Sequence, residues 1–130
     1  MVPSSLRTWF VVHFFADMLF AVPKFIAPVW TLQLVGWTEV DPVTTRLVAA
    51  ALFGIGIESL LGRNADVEAF RAMLNLKVIW ASTATLGLGW SALQGSPPMT
   101  WAFFGIFLSF LTVWSTYRIR LGSAGAPQGD

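Results

Sequence analysis

The sequence predicts an all-α integral membrane protein: a bundle of four transmembrane helices with both termini on the same side of the bilayer. The composition is the first reason. Of the 130 residues, 55% are apolar and only 12% are charged, whereas about a quarter of the residues of a soluble domain are charged. The second reason is that several apolar stretches approach the ~20 residues that a helix needs to cross a bilayer. Third, Gly, Pro, Asn and Asp residues separate these stretches, as turns require.

The four spans follow from these stretches and from the helix start and stop signals between them. They are predicted over about residues 6–27, 42–62, 69–93 and 98–121, in one domain that covers residues 1–121, and residues 122–130 are predicted to be a disordered tail.

The first span is expected to kink or stop near Pro23 and Pro28, because each proline removes an amide donor and crowds the preceding turn. The sequence leaves open whether residues 24–37 are helical, interfacial or re-entrant. The second span has a clear start, since Asp41 supplies an N-cap carboxylate and Pro42 occupies the first helical position.

The last three boundaries rest on the same kind of signal. Gly62 is a plausible C-terminal cap for the second span, and Asn64 or Asp66 is a plausible N-cap for the third. Ser96 before Pro97 repeats the pattern of a cap followed by proline ahead of the fourth span.

The distribution of Lys and Arg predicts the orientation, because cytoplasmic flanks carry the excess of these residues. The side of the termini holds Arg7, Arg63, Arg71, Arg118 and Arg120, whereas the other side holds Lys24 and Arg46 together with Glu39 and Asp41. We therefore expect cytoplasmic termini, in a cell membrane and most simply a bacterial cytoplasmic membrane.

Five of the polar side chains within the predicted spans form the candidate intramembrane site: His13, Asp17, Glu58, Asn75 and Lys77. An ionisable group inside a span costs about 2.5–3.5 kcal/mol on insertion scales and usually faces the bundle interior. At ~1.5 Å of rise per residue, the four ionisable groups all fall in the cytoplasmic half of the membrane, on three different helices.

Each of these groups has a functional and a structural interpretation. His13 and Asp17 share one helix face, as a proton-handling pair or as a structural hydrogen bond. Glu58 is either an ion site, a salt-bridge partner of Lys77, or a carboxylate near enough to the interface to stay wet. Lys77 could equally extend its stem toward the cytoplasmic surface. Whether these groups converge is open from sequence alone.

Small residues at four-residue spacing predict close helix contacts, within the chain or between chains. The predicted packing positions are Ala51, Gly54, Gly62, Gly105 and Ser109. Glu58 lies on the same stripe as Ala51 and Gly54, so we expect it to face a neighbouring helix.

Composition and motifs exclude several functions. The chain has no Cys and a net charge of +1, which excludes thiolate sites and argues against a nucleic-acid partner. With a single His and no HExxH or GxSxG motif, the sequence predicts no metal site, no cofactor and no catalytic residue.

The sequence therefore favours a non-enzymatic subunit or accessory factor, in contact with membrane lipid and with either copies of itself or another membrane protein. Two alternatives stay open. One is a small oligomeric proton-coupled transporter or channel that uses the intramembrane acids. The other is a membrane enzyme that acts on a lipid or quinone, with His13 and Asp17 as acid and base.

The arrangement is similar to that of small bacterial four-helix membrane proteins such as the DoxX-like families. The shared features are the chain length, the proline-containing end of the first span, the Asp41–Pro42 start of the second span and the basic C-terminal end. This likeness is architectural and implies only the four-span fold. Small multidrug transporters share the length and an acid in the first span, here Asp17, but the surrounding "HFFADMLFAVPK" departs from their pattern.

Overall fold

The computed structural model describes residues 1–124, which form an all-helical chain with no strand among them. Its helices are α1 (Ser4–Ile26), α2 (Pro28–Leu34), α3 (Pro42–Leu61), α4 (Val67–Leu93) and α5 (Met99–Ala124), and a single 3-10 turn (Gly62–Asn64) follows α3. The predicted tail falls partly on α5, which continues to Ala124, and residues 125–130 lie outside the described residues.

Three helical segments are long and apolar enough to cross a membrane: Ser4–Ile26, Pro42–Asn64 and Met99–Gly122. This finding confirms an all-α protein with several apolar helices that are compatible with a membrane. The α4 helix is longer than any of them, at 27 residues, but Glu68, Arg71 and Lys77 reduce its apolar character.

The end of the first span differs in detail from the expectation. Pro23 lies inside α1, and the helix ends only at Ile26, because Ala27 leaves the helical region with φ −133° and ψ 69°. Pro28 then takes the first position of α2, where its missing amide costs nothing. Residues 24–37, whose conformation the sequence leaves undecided, therefore contain a short helix, α2.

Side-chain caps fix the starts of α3 and α4. The Asp41 carboxylate accepts from the Val43 amide at 3.1 Å and also from the Thr44 hydroxyl, and the Asp66 carboxylate accepts from the Ala69 amide at 2.9 Å. The hydrogen bonds from Thr44 and Val43 hold the pKa of Asp41 below its usual value. The predicted start of α3 is confirmed, and Asp66 is the N-cap of α4.

The helices form two closely packed pairs, α1 with α3 and α4 with α5. We call the end of the bundle where the Tyr117 hydroxyl of α5 donates to Ser5 of α1, at 2.7 Å, the termini end. The opposite end, where Gly36 lies close to Pro97, is called the far end. Gly36 and Gly95 both have positive φ, which only glycine adopts without strain.

The buried side chains follow a spacing of three and four residues, which places them on one helix face. In α1 they are Leu6, Phe10, His13, Asp17 and Ala21; in α3 they are Thr45, Ala49, Leu52, Gly56 and Ser59; in α4 they are Phe70, Leu74, Lys77, Ala81 and Thr85. All three faces mix apolar and polar residues, so the interior of this bundle contains charge.

Candidate functional site

The candidate site lies where the buried faces of α1, α3 and α4 meet. Lys77 is 2% exposed, and its ammonium group is 2.7 Å from His13 Nδ1 and 2.5 Å from Ser59 Oγ. The Ser59 hydroxyl in turn donates to the Ile55 carbonyl at 2.7 Å. Lys77 of α4 therefore contacts side chains of α1 and α3, so that three helices meet at its ammonium group, and it does not extend to the surface.

Aromatic rings cover the remaining side of the Lys77 ammonium group. Its nitrogen lies 4.7 Å from the ring centroid of Phe10 and 5.0 Å from that of Trp114. Cation–π contacts of this kind stabilise an ammonium group by about 2 kcal/mol or more when it is desolvated. Because Phe10 also packs on Phe70 at 4.6 Å between centroids, these rings close the site toward the termini end.

The contacts determine which His13 nitrogen carries hydrogen. A lysine ammonium only donates, so Nδ1 of His13 accepts from Lys77. The proton of the neutral ring is then on Nε2, which lies 3.3 Å from Asp17 Oδ1. Ser59, Lys77, His13 and Asp17 thus form one continuous polar chain inside the bundle.

Asp17 ends this chain with one oxygen unpaired. The residue is 5% exposed, and its Oδ2 is buried without a hydrogen-bond partner. Gly56 makes the position possible, because a Cβ at residue 56 would lie 2.7 Å from Asp17 Cβ and 3.1 Å from Oδ2. The glycine allows α3 to approach α1 closely beside the acid.

A cavity of about 200 Å³ begins at His13 and Asp17 and extends toward the far end. Its lining is mainly apolar, with Val48 and Leu52 contributed by α3. Five aromatic side chains of α1, α4 and α5 also line it: Phe20, Trp80, Phe103, Phe107 and Phe110. The Trp80 indole N–H is also buried and has no hydrogen-bond partner. Asp17 Oδ2 and Trp80 Nε1 are both closed to a molecule the size of water, so neither atom is exposed to the cavity.

Lys24 completes the lining at the other end of the α1 face. Its ammonium nitrogen lies 5.1 Å from the Phe20 centroid and 5.3 Å from the Phe103 centroid. Both rings therefore already stack on a cation of the chain itself.

The structure brings together three of the five predicted site residues, His13, Asp17 and Lys77, and places the other two elsewhere. Glu58 is exposed, three positions before the end of α3, and it forms no ion pair among the described residues. Asn75 is also exposed and accepts a hydrogen bond from Arg118 Nε at 2.5 Å. Glu58 does not face a neighbouring helix of its own chain, contrary to the expectation.

Of the predicted packing positions, some lie against a neighbouring helix and others are exposed. Gly62 lies close to α4, since an added Cβ would be 2.7 Å from Met73 Sδ. Gly54 and Gly105 have open space where a Cβ would be, and Ser109 is exposed and donates to the Gly105 carbonyl. Ala51 is half-buried. The α3 stripe predicted from Ala51 and Gly54 thus lies beside the buried stripe, not on it.

Sequence reasoning missed Ser59, Gly56 and Trp80 as members of the site. The signal for the first two was the spacing along α3, where the buried residues follow steps of four and three and all but Leu52 are small or polar: Thr45, Ala49, Leu52, Gly56 and Ser59. Hydrophobic periodicity does not identify the buried face of α3, because the lipid around a membrane helix is as apolar as the interior of a helix bundle.

The chemistry open to the site is limited. Among residues 1–124 no group of three His, Asp or Glu side chains could hold a metal ion. Ser59 and Lys77 lie in contact as in Ser–Lys hydrolases, but Ser59 is 1% exposed and neither side chain lines the cavity. A substrate in the cavity would meet Asp17 and not this pair.

No protein-family model, curated protein or solved structure matches the chain. The function therefore has to be inferred from the geometry of the site.

Proposed function

We propose that this chain is a four-span protein of the bacterial cytoplasmic membrane, with cytoplasmic termini, that serves as a non-enzymatic subunit or accessory factor. In this role it binds a small apolar molecule from the bilayer in the cavity beside Asp17. The observation that carries the proposal is an apolar cavity of about 200 Å³ whose lining includes the ionisable residues His13, Asp17 and Lys24.

A pocket with an apolar lining and a few convergent polar groups is the usual form of a small-molecule site. The cavity has this form, because His13, Asp17 and Lys24 are the ionisable residues in an otherwise apolar lining. A small molecule of the bilayer would therefore bury most of its surface against apolar side chains there.

The α4 helix supports the fourth span. Its 27 residues correspond to about 40 Å, which exceeds the ~30 Å hydrocarbon core. Its central charge, Lys77, faces the interior, and Glu68 and Arg71 lie in its first two turns. The charges that lower its hydropathy thus avoid the lipid-facing surface at mid-membrane.

Single cysteines test the topology cleanly, because the chain has no cysteine of its own. Asn64→Cys and Gln94→Cys place a thiol at exposed positions at the two ends of α4. With intact spheroplasts, a membrane-impermeant maleimide should label residue 94 and should label residue 64 only after lysis. Equal labelling of both in intact cells would show that α4 does not cross.

The ligand role is tested by filling the cavity. Ala84 lines it, so Ala84→Phe should expel the ligand, whereas Ile79→Phe puts the same side chain on the exposed face of α4. Purified protein in mild detergent is extracted with organic solvent and analysed by mass spectrometry. We expect a molecule that copurifies with the wild type and Ile79→Phe and is lost from Ala84→Phe. If no molecule distinguishes the two variants, the proposed function is wrong.

The accessory role also requires a partner. Glu58 and Gly54 lie one turn apart on an exposed face of α3, and an acid on a lipid-facing surface is costly unless another chain covers it or it reaches the interface. Purification in mild detergent should therefore yield a homo-oligomer or a stoichiometric partner. A monodisperse, partner-free monomer at every detergent concentration would argue against it.

A second candidate function is proton-coupled transport, which the continuous chain from Asp17 through His13 and Lys77 to Ser59 favours. In proteoliposomes with a pH gradient, Asp17→Asn should reduce flux to that of empty liposomes. Glu58→Gln, outside the chain of contacts, should retain wild-type flux. Equal flux in the wild type and both variants would reject transport.

A further inference from the structure

We propose that the molecule bound in the cavity carries a single carboxylate on an apolar body, and that this carboxylate pairs with Lys24 toward the far end. The inference rests on the proposed function and names the chemical class of the ligand: an amphiphilic monocarboxylic acid of the bilayer.

Lys24 is the one lysine or arginine in the lining of the cavity, and its charge has no counter-ion. Among residues 1–124 its ammonium group forms neither a hydrogen bond nor a salt bridge. Of the acids near the far end, Asp41 caps α3 and Glu39 is exposed. An ammonium group offers three donors, and a charge within a membrane span is costly and usually paired. Lys24 therefore supplies a positive charge that the described chain does not balance.

The ammonium group of Lys24 is accessible at the wall of the cavity. Asp17 Oδ2 and Trp80 Nε1 are closed to a molecule the size of water, but the nitrogen of the half-buried Lys24 is not closed in this way. It lies 5.1 Å from the Phe20 centroid and 5.3 Å from the Phe103 centroid, and both rings line the cavity. A ligand in the cavity can therefore reach this cation.

The other charges near the cavity favour an anion at Lys24. Lys77 is linked to Asp17 through His13, so that cation and that acid belong to one cluster. Asp17 precedes Lys24 by seven positions on α1, which corresponds to about 10 Å along the helix axis. A carboxylate at Lys24 is thus two turns away from the carboxyl group of Asp17, whereas a cationic ligand would add a second positive charge beside Lys24.

The volume of the cavity limits the ligand to a narrow body. A dry, apolar cavity of about 150 Å³ binds benzene, so the cavity of about 200 Å³ accommodates one substituted ring or a short length of alkyl chain. Val48 and Ile106 also line the cavity and are 42% and 37% exposed, which gives an apolar opening toward lipid in the proposed topology. A single-chain acid fits this space, whereas a diacyl phospholipid exceeds it.

Three probes that share a para-butyl ring test the charge of the ligand: para-butylbenzoate, para-butylbenzamide and para-butylbenzylammonium. At neutral pH they carry one negative charge, no charge and one positive charge. Binding is measured by equilibrium dialysis against the purified protein in phosphatidylcholine nanodiscs, with protein-free nanodiscs as the partition control.

In the wild type we expect the benzoate to bind about tenfold more tightly than the benzamide, because a charge-assisted hydrogen bond replaces a neutral one, and the benzylammonium to bind most weakly. Lys24→Met keeps an apolar stem and should lower the affinity for the benzoate by about tenfold. The affinity for the benzamide should stay unchanged, which also reports that the variant is folded. Lys24→Arg should restore the preference for the benzoate.

Arg46→Met is the matched control, because Arg46 is an exposed cation that does not line the cavity. Its Nε donates to the Phe25 carbonyl at 3.0 Å, next to Lys24 in the chain. This variant should bind all three probes as the wild type does. Equal losses of benzoate binding in Lys24→Met and Arg46→Met would mean a general attraction of anions to this end of the bundle and would overturn the pairing.

The native ligand provides a second readout. The molecule that copurifies with the wild type should behave as a monocarboxylic acid in negative-ion mass spectrometry, and Lys24→Met should retain less of it than Arg46→Met. A neutral or cationic copurifying molecule would reject the acid class.

The remaining outcomes separate the ligand class from the ligand-binding function. Equal affinity for the benzoate and the benzamide in the wild type would mean that Lys24 is an interfacial anchor only. Loss of benzoate binding when phosphatidylglycerol replaces part of the phosphatidylcholine, after correction with matching protein-free nanodiscs, would mean that a lipid phosphate occupies Lys24. If Ala84→Phe still loses its copurifying molecule in either case, the ligand-binding function stands and only the acid class is rejected. If Ala84→Phe changes neither copurification nor probe binding, both fail.

Discussion

The two halves of the bundle are built from the same helices, yet one is closed and the other is open. At the termini end, Leu6, Phe10, Phe70 and Trp114 are all at most 1% exposed, and they leave no space around Lys77. Toward the far end, the buried cluster consists of Ala21, Ala49 and Leu52, and the cavity lies beside it. Side-chain volume accounts for the difference, because large rings fill the space between helices and alanines do not.

The boundary between the halves is the polar chain itself. Lys77 and Ser59 belong to the closed half, whereas Asp17 faces the cavity. Lys77 is enclosed and links the helices through His13 and Ser59, whereas Asp17 of the same cluster belongs to the lining of the cavity. The comparison teaches that burial alone does not separate a structural from a functional ionisable group; a place in the lining of the cavity does.

The largest effect is expected from breaking the closed half at Lys77. Lys77→Ala leaves Asp17 and His13 buried without their cation and removes the contacts to Phe10 and Trp114. Loss of one partner from a buried polar cluster costs about 3–5 kcal/mol, so the unfolding midpoint in detergent should drop strongly in differential scanning fluorimetry.

Arg120→Ala is the control for that experiment, because Arg120 is an exposed cation at the same end of the molecule. It should change stability by less than about 0.5 kcal/mol. Similar losses in both variants would mean that Lys77 does not hold the helices together.

An intermediate effect is expected at the contact between α1 and α3. Gly56→Ala places a methyl group 2.7 Å from Asp17 Cβ, and overpacking of this kind costs about 1–3 kcal/mol. The shift also moves Asp17, so the variant should lose stability and the copurifying molecule together, as followed by thermal unfolding and mass spectrometry.

Gly54→Ala provides the matched control on the same helix, since nothing lies within 4 Å of the added Cβ. Alanine is the better helix former, so stability should stay equal or rise. A larger loss at residue 54 than at residue 56 would reverse the assignment of the buried face of α3.

The smallest effect concerns the start of α3 at the far end, where Asp41 caps the helix. Its pKa is lowered in the folded protein by Thr44 and Val43, so its charge stabilises the fold above the unfolded pKa of about 3.9 and this contribution is lost as the pH falls through the folded pKa.

Asp41→Asn keeps a capping oxygen but cannot ionise. The wild type should therefore be slightly more stable than Asp41→Asn at pH 7, and the gap between the two unfolding midpoints should narrow as the pH is lowered below about 3.9. A gap that persists unchanged at pH 3 would show that the ionised form of Asp41 makes no difference.

The sequence by itself determined the helical class, the start of α3 and the list of ionisable groups within the helices. Local chemistry fixes these, since an Asp–Pro pair starts a helix at Asp41 and Pro42 wherever the helix lies. The same reasoning placed His13 and Asp17 on one face, because four residues complete about one helical turn.

Only the tertiary structure decided which polar groups meet. Lys77 is 64 residues from His13 in the chain, and no local rule links them. Glu58 and Ser59 are adjacent in sequence, yet one is exposed and the other is buried against Lys77. The physical reason is that the exposed face of α3 is also apolar, so hydrophobicity does not reveal which face of α3 is buried. The close approach at Gly56 and the space left by small side chains decide it.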